Sequence, residues 1–199
     1  MIFFITIFTV LALFFQDAIC QGVPTECIRA ILDEVMAVQT DRQLKGQEFR
    51  NKRRAVIRRI ISQNFDFDTM ARHSLGSHWE RLERAKQLEF KAIFQDLFQD
   101  SYTKLVLDFL GREKILYTRE ESDQSKASVK TIIVRMNEEI PVDYSLGIMG
   151  QKWLVEDVAI DGVSIVQNYQ KSFARVIRQE TYEGLLKKMR LQQQTTEKN

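Results

Sequence analysis

A single glycine separates two hydrophobic periods within residues 153–173, WLVEDVAIDGVSIVQNYQKSF, and this change constrains the fold more than any other feature. Before Gly162, apolar side chains recur at about every second residue, as in a strand, and after it they recur at helical spacing. The acidic pair Glu156 and Asp157 interrupts the strand and indicates a β-bulge. Ser164 is suited to cap the helix that follows. The chain is therefore expected to pass from a sheet directly into an amphipathic helix.

Three more strands are predicted before this one, because apolar residues alternate with polar or small ones from Lys114 onward. The alternating residues are Ile115 and Tyr117, then Ile132, Val134 and Met136, then Val142, Tyr144, Leu146 and Ile148. Short turns at residues 122–128, 137–139 and 150–151 join the strands. Turns of this length favour hairpins, so the sheet is predicted to be an antiparallel meander of four strands.

Helical patterns occupy the rest of the chain, so the predicted fold class is α+β, with helices packed on the antiparallel sheet. Apolar stripes at helical spacing cover residues 25–40, 49–61, 84–110 and 180–191, with Thr25 as the expected cap of the first helix. Asp66 or Asp68 is expected to cap a further short helix that ends at Gly76. Many phenylalanines lie in residues 84–110, and such a face suits either a packed core or a wall for acyl chains.

The two ends of the chain differ in composition from the middle. Residues 2–15 are almost wholly apolar, and Ala18 and Cys20 are small residues before a potential cleavage point, so residues 1–20 are predicted to be a secretory signal peptide. A retained anchor helix and a lipid-modified Cys20 are the alternatives. Residues 21–191 are expected to form a single domain, followed by a polar tail at 192–199 that is predicted to be disordered.

The chain contains none of the common catalytic motifs. It has no G-x-S-x-G, no Walker glycine loop, no H-E-x-x-H and no paired cysteine motif. His73 and His78 lie on different faces of a helix, without a cysteine or a third histidine nearby. We therefore predict no catalytic residue, no metal site and no cofactor. A small hydrolase or isomerase on a similar sheet-and-helix fold is the alternative, although no nucleophile can be named for it.

The second predicted helix contains six basic residues: Arg50, Lys52, Arg53, Arg54, Arg58 and Arg59. Such a helix can contact the phosphates of nucleic acid or of lipid head groups, or it can be a solvated face whose arginine stems cover the core. The solvated face is favoured. No nucleic-acid partner is expected, because an exported chain rarely meets nucleic acid and a formal net charge of +2 is too small to argue for one.

Two motifs resemble those of a known protein family. The first is F-D-F at residues 65–67, followed by M-A at 70–71 and L-G-x-x-W at 75–79. The second is W-x-V-x-D-V-x-I-x-G-V-S-x-V-x-N-Y-x-x-x-F at residues 153–173. Together they resemble the signatures of the MlaC-type periplasmic phospholipid-binding proteins, the toluene-tolerance or auxiliary-transport family. The resemblance spans about residues 25–190.

The resemblance implies a function as well as a fold. It implies helices packed on an antiparallel sheet around an apolar cavity that holds phospholipid tails. It also implies a monomeric periplasmic carrier that moves phospholipid between an outer-membrane lipoprotein–porin complex and an inner-membrane ABC transporter, and so maintains outer-membrane lipid asymmetry. A related branch of the family carries hopanoids, so a carrier of hopanoids or other apolar ligands is the alternative.

The candidate lipid-binding residues lie on the apolar faces of the predicted strands and of the adjoining helices. They are Tyr102, Phe109, Tyr117, Val134, Met136, Val142, Tyr144, Leu146, Val155 and Tyr169. Periodicity alone does not separate side chains that contact a ligand from those that contact only one another.

Overall fold

The computed structural model describes residues 22–136 and 138–197, so the predicted signal peptide lies outside the described residues. The helices in this part of the chain are α1 (Pro24–Thr40), α2 (Arg50–Asn64), α3 (Phe67–Leu75), α4 (Arg84–Phe109), α5 (Ile165–Gln179) and α6 (Tyr182–Glu197). The strands are β1 (Lys114–Ser122), β2 (Lys126–Arg135), β3 (Glu138–Met149), β4 (Lys152–Ile160) and β5 (Val163–Ser164). Short 3₁₀ turns cover Arg42–Leu44, Gln47–Phe49 and Gly76–Arg81. No helix of the described ranges has the length and apolar character needed to cross a membrane.

The strands form one antiparallel meander in the order β1-β2-β3-β4-β5, which confirms the predicted α+β class. The structure adds β5, a two-residue fifth strand, to the four strands predicted from periodicity. Asp161 and Gly162 both have positive φ, 49° and 75°, and this pair forms a tight turn between β4 and β5. The turn returns the chain along β4, where Ala159 pairs with Ser164, immediately before α5 begins.

A β-bulge in β4 decides which side chains face the helices. Ser145 pairs with Asp157 and Leu146 pairs with Val155, so Glu156 is the extra residue, as the sequence predicted. A bulge restores the inward direction of the residues that follow it. Val155 and Val158 therefore both face the helices, with 1% and 8% of their surfaces exposed, although they are three residues apart.

Side chains cap the helices at two of the predicted positions. Asp66 accepts hydrogen bonds from the backbone N–H groups of Asp68 (3.0 Å) and Thr69 (3.1 Å) at the start of α3. Ser164 accepts one from the N–H of Gln167 (3.0 Å) at the start of α5. The expected cap at Thr25 was wrong. Pro24 occupies the first turn of α1, for which its fixed φ is suited, and the Thr25 N–H donates to Glu120 Oε2 at 2.7 Å.

The helices cover one side of the sheet in two levels. Helices α1, α2, α3 and α5 contact the strands, whereas α4 packs on α2, α3 and α6. Phe90 and Phe94 in the N-terminal half of α4, and Phe98 just past its middle, expose at most 1% of their surfaces and lie ring against ring at 6.1 Å. Phe173 of α5 contacts Phe90 and Phe94 edge-to-face. The C-terminal half of α4 continues over the sheet beyond this aromatic cluster.

Acidic side chains of α4 explain the basic residues of α2. Asp100, only 3% exposed, accepts hydrogen bonds from Arg54 (3.0 Å) and Arg58, and Arg58 also contacts Asp96 at 3.2 Å. Other arginines of the helix are also bound within the molecule. These are Arg50, which pairs with Asp108 at 2.7 Å, and Arg53, which donates to the carbonyls of Leu44 and Gly46. Four of the six basic residues therefore hold the fold together, and Lys52 and Arg59 remain exposed.

Helix α6 continues through Glu197, into the segment 192–199 for which the sequence predicts disorder. Residues 198–199 lie outside the described residues. The apolar stripe of α6, formed by Leu185, Leu186 and Met189, is buried against the core, and Arg190 pairs with Glu89 of α4 at 2.5 Å. A helix anchored in this way can extend by further turns, because propagation adds one hydrogen bond per residue and needs no new nucleus.

Candidate functional site: an apolar cavity beside a polar recess

A cavity of about 320 Å³ lies between the C-terminal half of α4 and the sheet. Of its twenty lining residues, only Arg135 and Asp161 are charged. The helices contribute Ile31, Leu32, Val35, Ile61, Phe98, Tyr102, Leu105, Val106, Phe109 and Ile165, and the residues directly after α2 and α4 contribute Phe65 and Leu110. The sheet contributes Ile133, Ile140, Val142, Tyr144, Val158 and Ile160. Its volume is at the lower end of the range for small-molecule sites, which are also mainly apolar.

Regular spacing on each element builds the wall of this cavity. On α4, Phe98, Tyr102, Leu105 and Phe109 follow one another at three or four residues and so share a face. On β3, every second residue from Ile140 to Tyr144 points to the same side. Leu105 and Phe109 remain 36% and 52% exposed while they line the cavity. The cavity therefore opens to solvent at the C-terminal end of α4.

The structure brings four of the ten predicted residues together in the cavity: Tyr102, Phe109, Val142 and Tyr144. Leu146 and Val155 face the same side of the sheet, but each is only 1% exposed and belongs to the packed core. Tyr169 packs against Phe94 and Phe173, at ring-centroid distances of 5.4 and 5.2 Å. These three positions lie outside the cavity because the aromatic cluster fills the space above that half of the sheet.

The orientation of the side chains along β2 explains two further differences between the predicted site and the cavity. Ala127, Val129 and Thr131 are its buried residues, so the odd-numbered positions face the helices. Val134 lies on the opposite face, since successive side chains of a strand point to opposite sides. Met136 follows the strand with a φ of 52° and is 90% exposed. The sequence prediction therefore selected the outer face of β2 and missed Ile133 and Arg135.

Tyr117 is the last predicted residue that lies outside the cavity. Its ring is half-buried beneath Arg29 of α1, with the guanidinium carbon 4.0 Å from the ring centroid. Helix α1 contributes Ile31, Leu32 and Val35 to the cavity, and the sequence pattern predicts these residues only as part of an apolar helical stripe. The helical spacing of these residues predicts that they are buried, but no nearby residue in the sequence indicates that they border a cavity.

The polar atoms inside the cavity are mostly uncharged. Burial raises the pKa of Tyr102 and of Tyr144 well above the ordinary value of 10, so both phenols stay protonated at neutral pH. A neutral phenol can accept or donate one hydrogen bond without opposing the burial of apolar groups. This lining favours an apolar ligand.

Asp157 has a structural role at the junction of β4 and α5. Its carboxylate accepts hydrogen bonds from the Ser164 hydroxyl and from the N–H groups of Val158 (2.8 Å) and Val166 (3.1 Å). It thereby fastens the end of β4 to the start of α5. Glu156 pairs instead with Lys126 at 2.5 Å. The two acids therefore serve different contacts and form no acid pair.

Comparison with known proteins identifies the family. A family model described as MlaC protein matches residues 29–191, which include both motifs. The chain belongs to the MlaC family. This membership confirms the resemblance noted in the sequence, and it points to a protein of binding and transport rather than to an enzyme.

The MlaC fold is also present in a solved structure. The phospholipid-binding protein from Ralstonia solanacearum, solved in complex with a phospholipid, superimposes with a TM-score of 0.75. It is 18% identical in sequence, and the match covers 88% of this chain and 99% of that one. At this identity the comparison shows that the two proteins share a fold. A search of curated protein sequences finds no match.

Proposed function

We propose that this MlaC-family protein is a phospholipid carrier whose cavity between α4 and the sheet receives the lipid tails. The observation that carries the proposal is the lining of that cavity, in which eighteen of twenty residues are uncharged. The solved relative in complex with a phospholipid supports the choice of ligand, because it shares the fold that forms this space. The exposed side chains of Leu105 and Phe109 mark where the tails would enter.

The energetics of lipid transfer explain why a carrier must cover the tails. Two acyl chains contain roughly 30 methylene groups, and at ~0.8 kcal/mol each their exposure to water costs on the order of 24 kcal/mol. Uncatalysed passage of a phospholipid through water is therefore negligible. The apolar cavity of about 320 Å³ covers part of the two tails and so lowers this cost, while the head group can stay in water at the opening. The protein binds its ligand stoichiometrically and needs no catalytic residue.

The carrier is proposed to act as a monomer in the periplasm, after export directed by residues 1–20. Family membership supports the two expected partners, an outer-membrane lipoprotein–porin complex and an inner-membrane ABC transporter. Exchange of phospholipid between them would maintain the asymmetry of the outer membrane. N-terminal sequencing of the mature protein tests the export step: a start near residue 21 is expected, and a start at Met1 would favour a retained anchor.

Mass spectrometry of the lipid extracted from the purified protein tests the ligand. We expect about one diacyl phospholipid per protein molecule after purification without detergent. Transfer of labelled phospholipid between two vesicle populations should then rise in proportion to the protein concentration. Recovery of hopanoids alone, or of no lipid together with no transfer activity, would contradict the proposal.

A further inference from the structure

The opening of the cavity adjoins a polar recess of about 310 Å³. The two spaces share three lining residues, Phe109, Leu110 and Arg135. The recess is otherwise lined by Gln39, Lys45, Gly46, Arg53, Leu107, Asp108, Gly111 and Glu113. An apolar cavity and a charged recess therefore meet at one opening. This arrangement suits a ligand that is apolar at one end and charged at the other.

Arg135 is the only basic residue that lines both spaces within the described part of the chain. Its guanidinium carbon lies 5.1 Å from the centroid of the Phe109 ring, and its side chain is 32% exposed. Its Nε lies 3.7 Å from Glu113 Oε1, which is longer than a hydrogen bond. A guanidinium presents five N–H donors in a fork that matches phosphate oxygens. Arg135 is therefore positioned to accept an anion.

Two other charged groups of the recess, Arg53 and Asp108, form shorter contacts within the protein than Arg135 does. Arg53 donates to the carbonyls of Leu44 and Gly46, and Asp108 accepts from Arg50 at 2.7 Å. The Arg50 hydrogen bond holds the pKa of Asp108 below its usual range, so this carboxylate stays charged and bound. Lys45 has no ion pair within residues 22–136 and 138–195 and stands exposed at the edge of the recess.

We propose that Arg135, assisted by Lys45, binds the phosphate diester of the lipid whose tails occupy the cavity. The proposal rests on the proposed function and adds a basis for selectivity. In a diacyl phospholipid the phosphate follows the glycerol directly, so tails that enter past Phe109 bring it to the opening where Arg135 lies. Glu113 holds the guanidinium near the opening when no anion is bound. A neutral diacylglycerol has the same tails but no anionic phosphate with which Arg135 can pair.

A competition experiment tests this assignment. The mature protein, stripped of lipid, is incubated with vesicles that contain phosphatidylglycerol, phosphatidylethanolamine and diacylglycerol with identical tails. The lipids bound to the recovered protein are quantified by mass spectrometry. We expect the wild-type protein to favour both phospholipids over diacylglycerol, and Arg135→Gln to reduce this preference about tenfold, which corresponds to about 1.4 kcal/mol. Arg135→Lys should restore part of it.

Arg59→Gln is the matched control, because it removes the same charge from an exposed position of α2 outside both spaces. Its preference should equal that of the wild type. An unchanged preference in Arg135→Gln, with total lipid still bound, would overturn the Arg135 assignment and leave the carrier proposal standing. Absence of diacyl lipid from every variant, including the wild type, would instead reject the carrier proposal.

Free phosphate is the other possible source of the anion. The competition is therefore repeated with inorganic phosphate in excess over lipid. An unchanged preference is expected, because the tails hold the lipid phosphate at the opening and raise its effective concentration there. Loss of the preference in free phosphate would show a site for soluble anions and would overturn the headgroup assignment. Thermal unfolding by circular dichroism checks that each variant is folded.

Discussion

Two tryptophan substitutions on one strand would separate the cavity from the core. Val142 and Leu146 lie four residues apart on β3 and face the same side of the sheet, but only Val142 lines the cavity. Val142→Trp places an indole in space that the lipid tails are proposed to occupy. Leu146→Trp places the same indole in a packed core, where the leucine is 1% exposed. The two variants therefore make the same chemical change in different surroundings.

The expected magnitudes differ for physical reasons. In Val142→Trp, the added volume excludes roughly three tail methylenes at ~0.8 kcal/mol each. The sum, ~2.4 kcal/mol, corresponds to a roughly 50-fold loss of lipid affinity, with little change in the stability of the lipid-free protein. In Leu146→Trp, overpacking is expected to cost ~1 to 3 kcal/mol of unfolding free energy. For a protein of this size that cost lowers the Tm by about 2 to 12 °C.

Phospholipid bound per protein and the urea midpoint of the lipid-free form should be measured for both variants. We expect Val142→Trp to lose lipid and keep its midpoint, and Leu146→Trp to lose stability and keep its lipid affinity. Loss of lipid from Leu146→Trp at unchanged stability, with a normal lipid content in Val142→Trp, would refute the position assigned to the cavity.

Three other predictions concern the fold. Asp100→Asn should lower the free energy of unfolding in urea by about 2 kcal/mol. The loss is smaller than for a fully buried ion pair, because Arg54 and Arg58 are partly exposed. The control Asp96→Asn should change the free energy of unfolding by less than about 0.5 kcal/mol. Ser164→Ala removes the cap of α5 and should cost about 1 kcal/mol in the same assay. Burial raises the pKa of Tyr144, so the stability that its neutral form provides is complete below pH 10 and is lost as the pH rises further. Urea midpoints measured from pH 9 to 11 should therefore fall less steeply for Tyr144→Phe than for the wild-type protein.

The basic stretch of α2 shows why charge patterns are ambiguous in a sequence. Arg54 and Arg58 find their acceptor in Asp100, more than forty residues away in α4. Nothing near α2 in the sequence identifies this partner, so a helix rich in arginine resembles a phosphate-binding surface until its neighbours are known. The structure supports the interpretation in which these arginines stabilise the packing of α2 on α4, and it leaves Lys52 and Arg59 exposed to solvent.

The features that the sequence alone determined are those with local causes. The caps at Asp66 and Ser164 and the helix at Pro24–Thr40 depend on residues within a few positions of one another. The bulge at Glu156 needs β3 as its partner but is marked in the sequence by two adjacent acidic residues. Backbone hydrogen bonding and side-chain periodicity act over this range, so a pattern in the sequence is sufficient to predict them. The signature motifs also identified the family without reference to contacts.

The lining of the cavity was decided only by the tertiary structure. Val142 and Leu146 are equivalent in the pattern of β3, yet one borders a cavity and the other lies in the core. Burial of apolar surface has no direction, so it favours any partner that excludes water and does not distinguish a ring from a ligand. The packing of the aromatic cluster of α4 and α5 decides which side of the sheet is covered. It also decides where a space remains between α4 and the sheet. The two faces of β2 are similarly apolar in the sequence. For the same reason, only the assembled fold places Arg135, at the end of this strand, at the opening of the cavity.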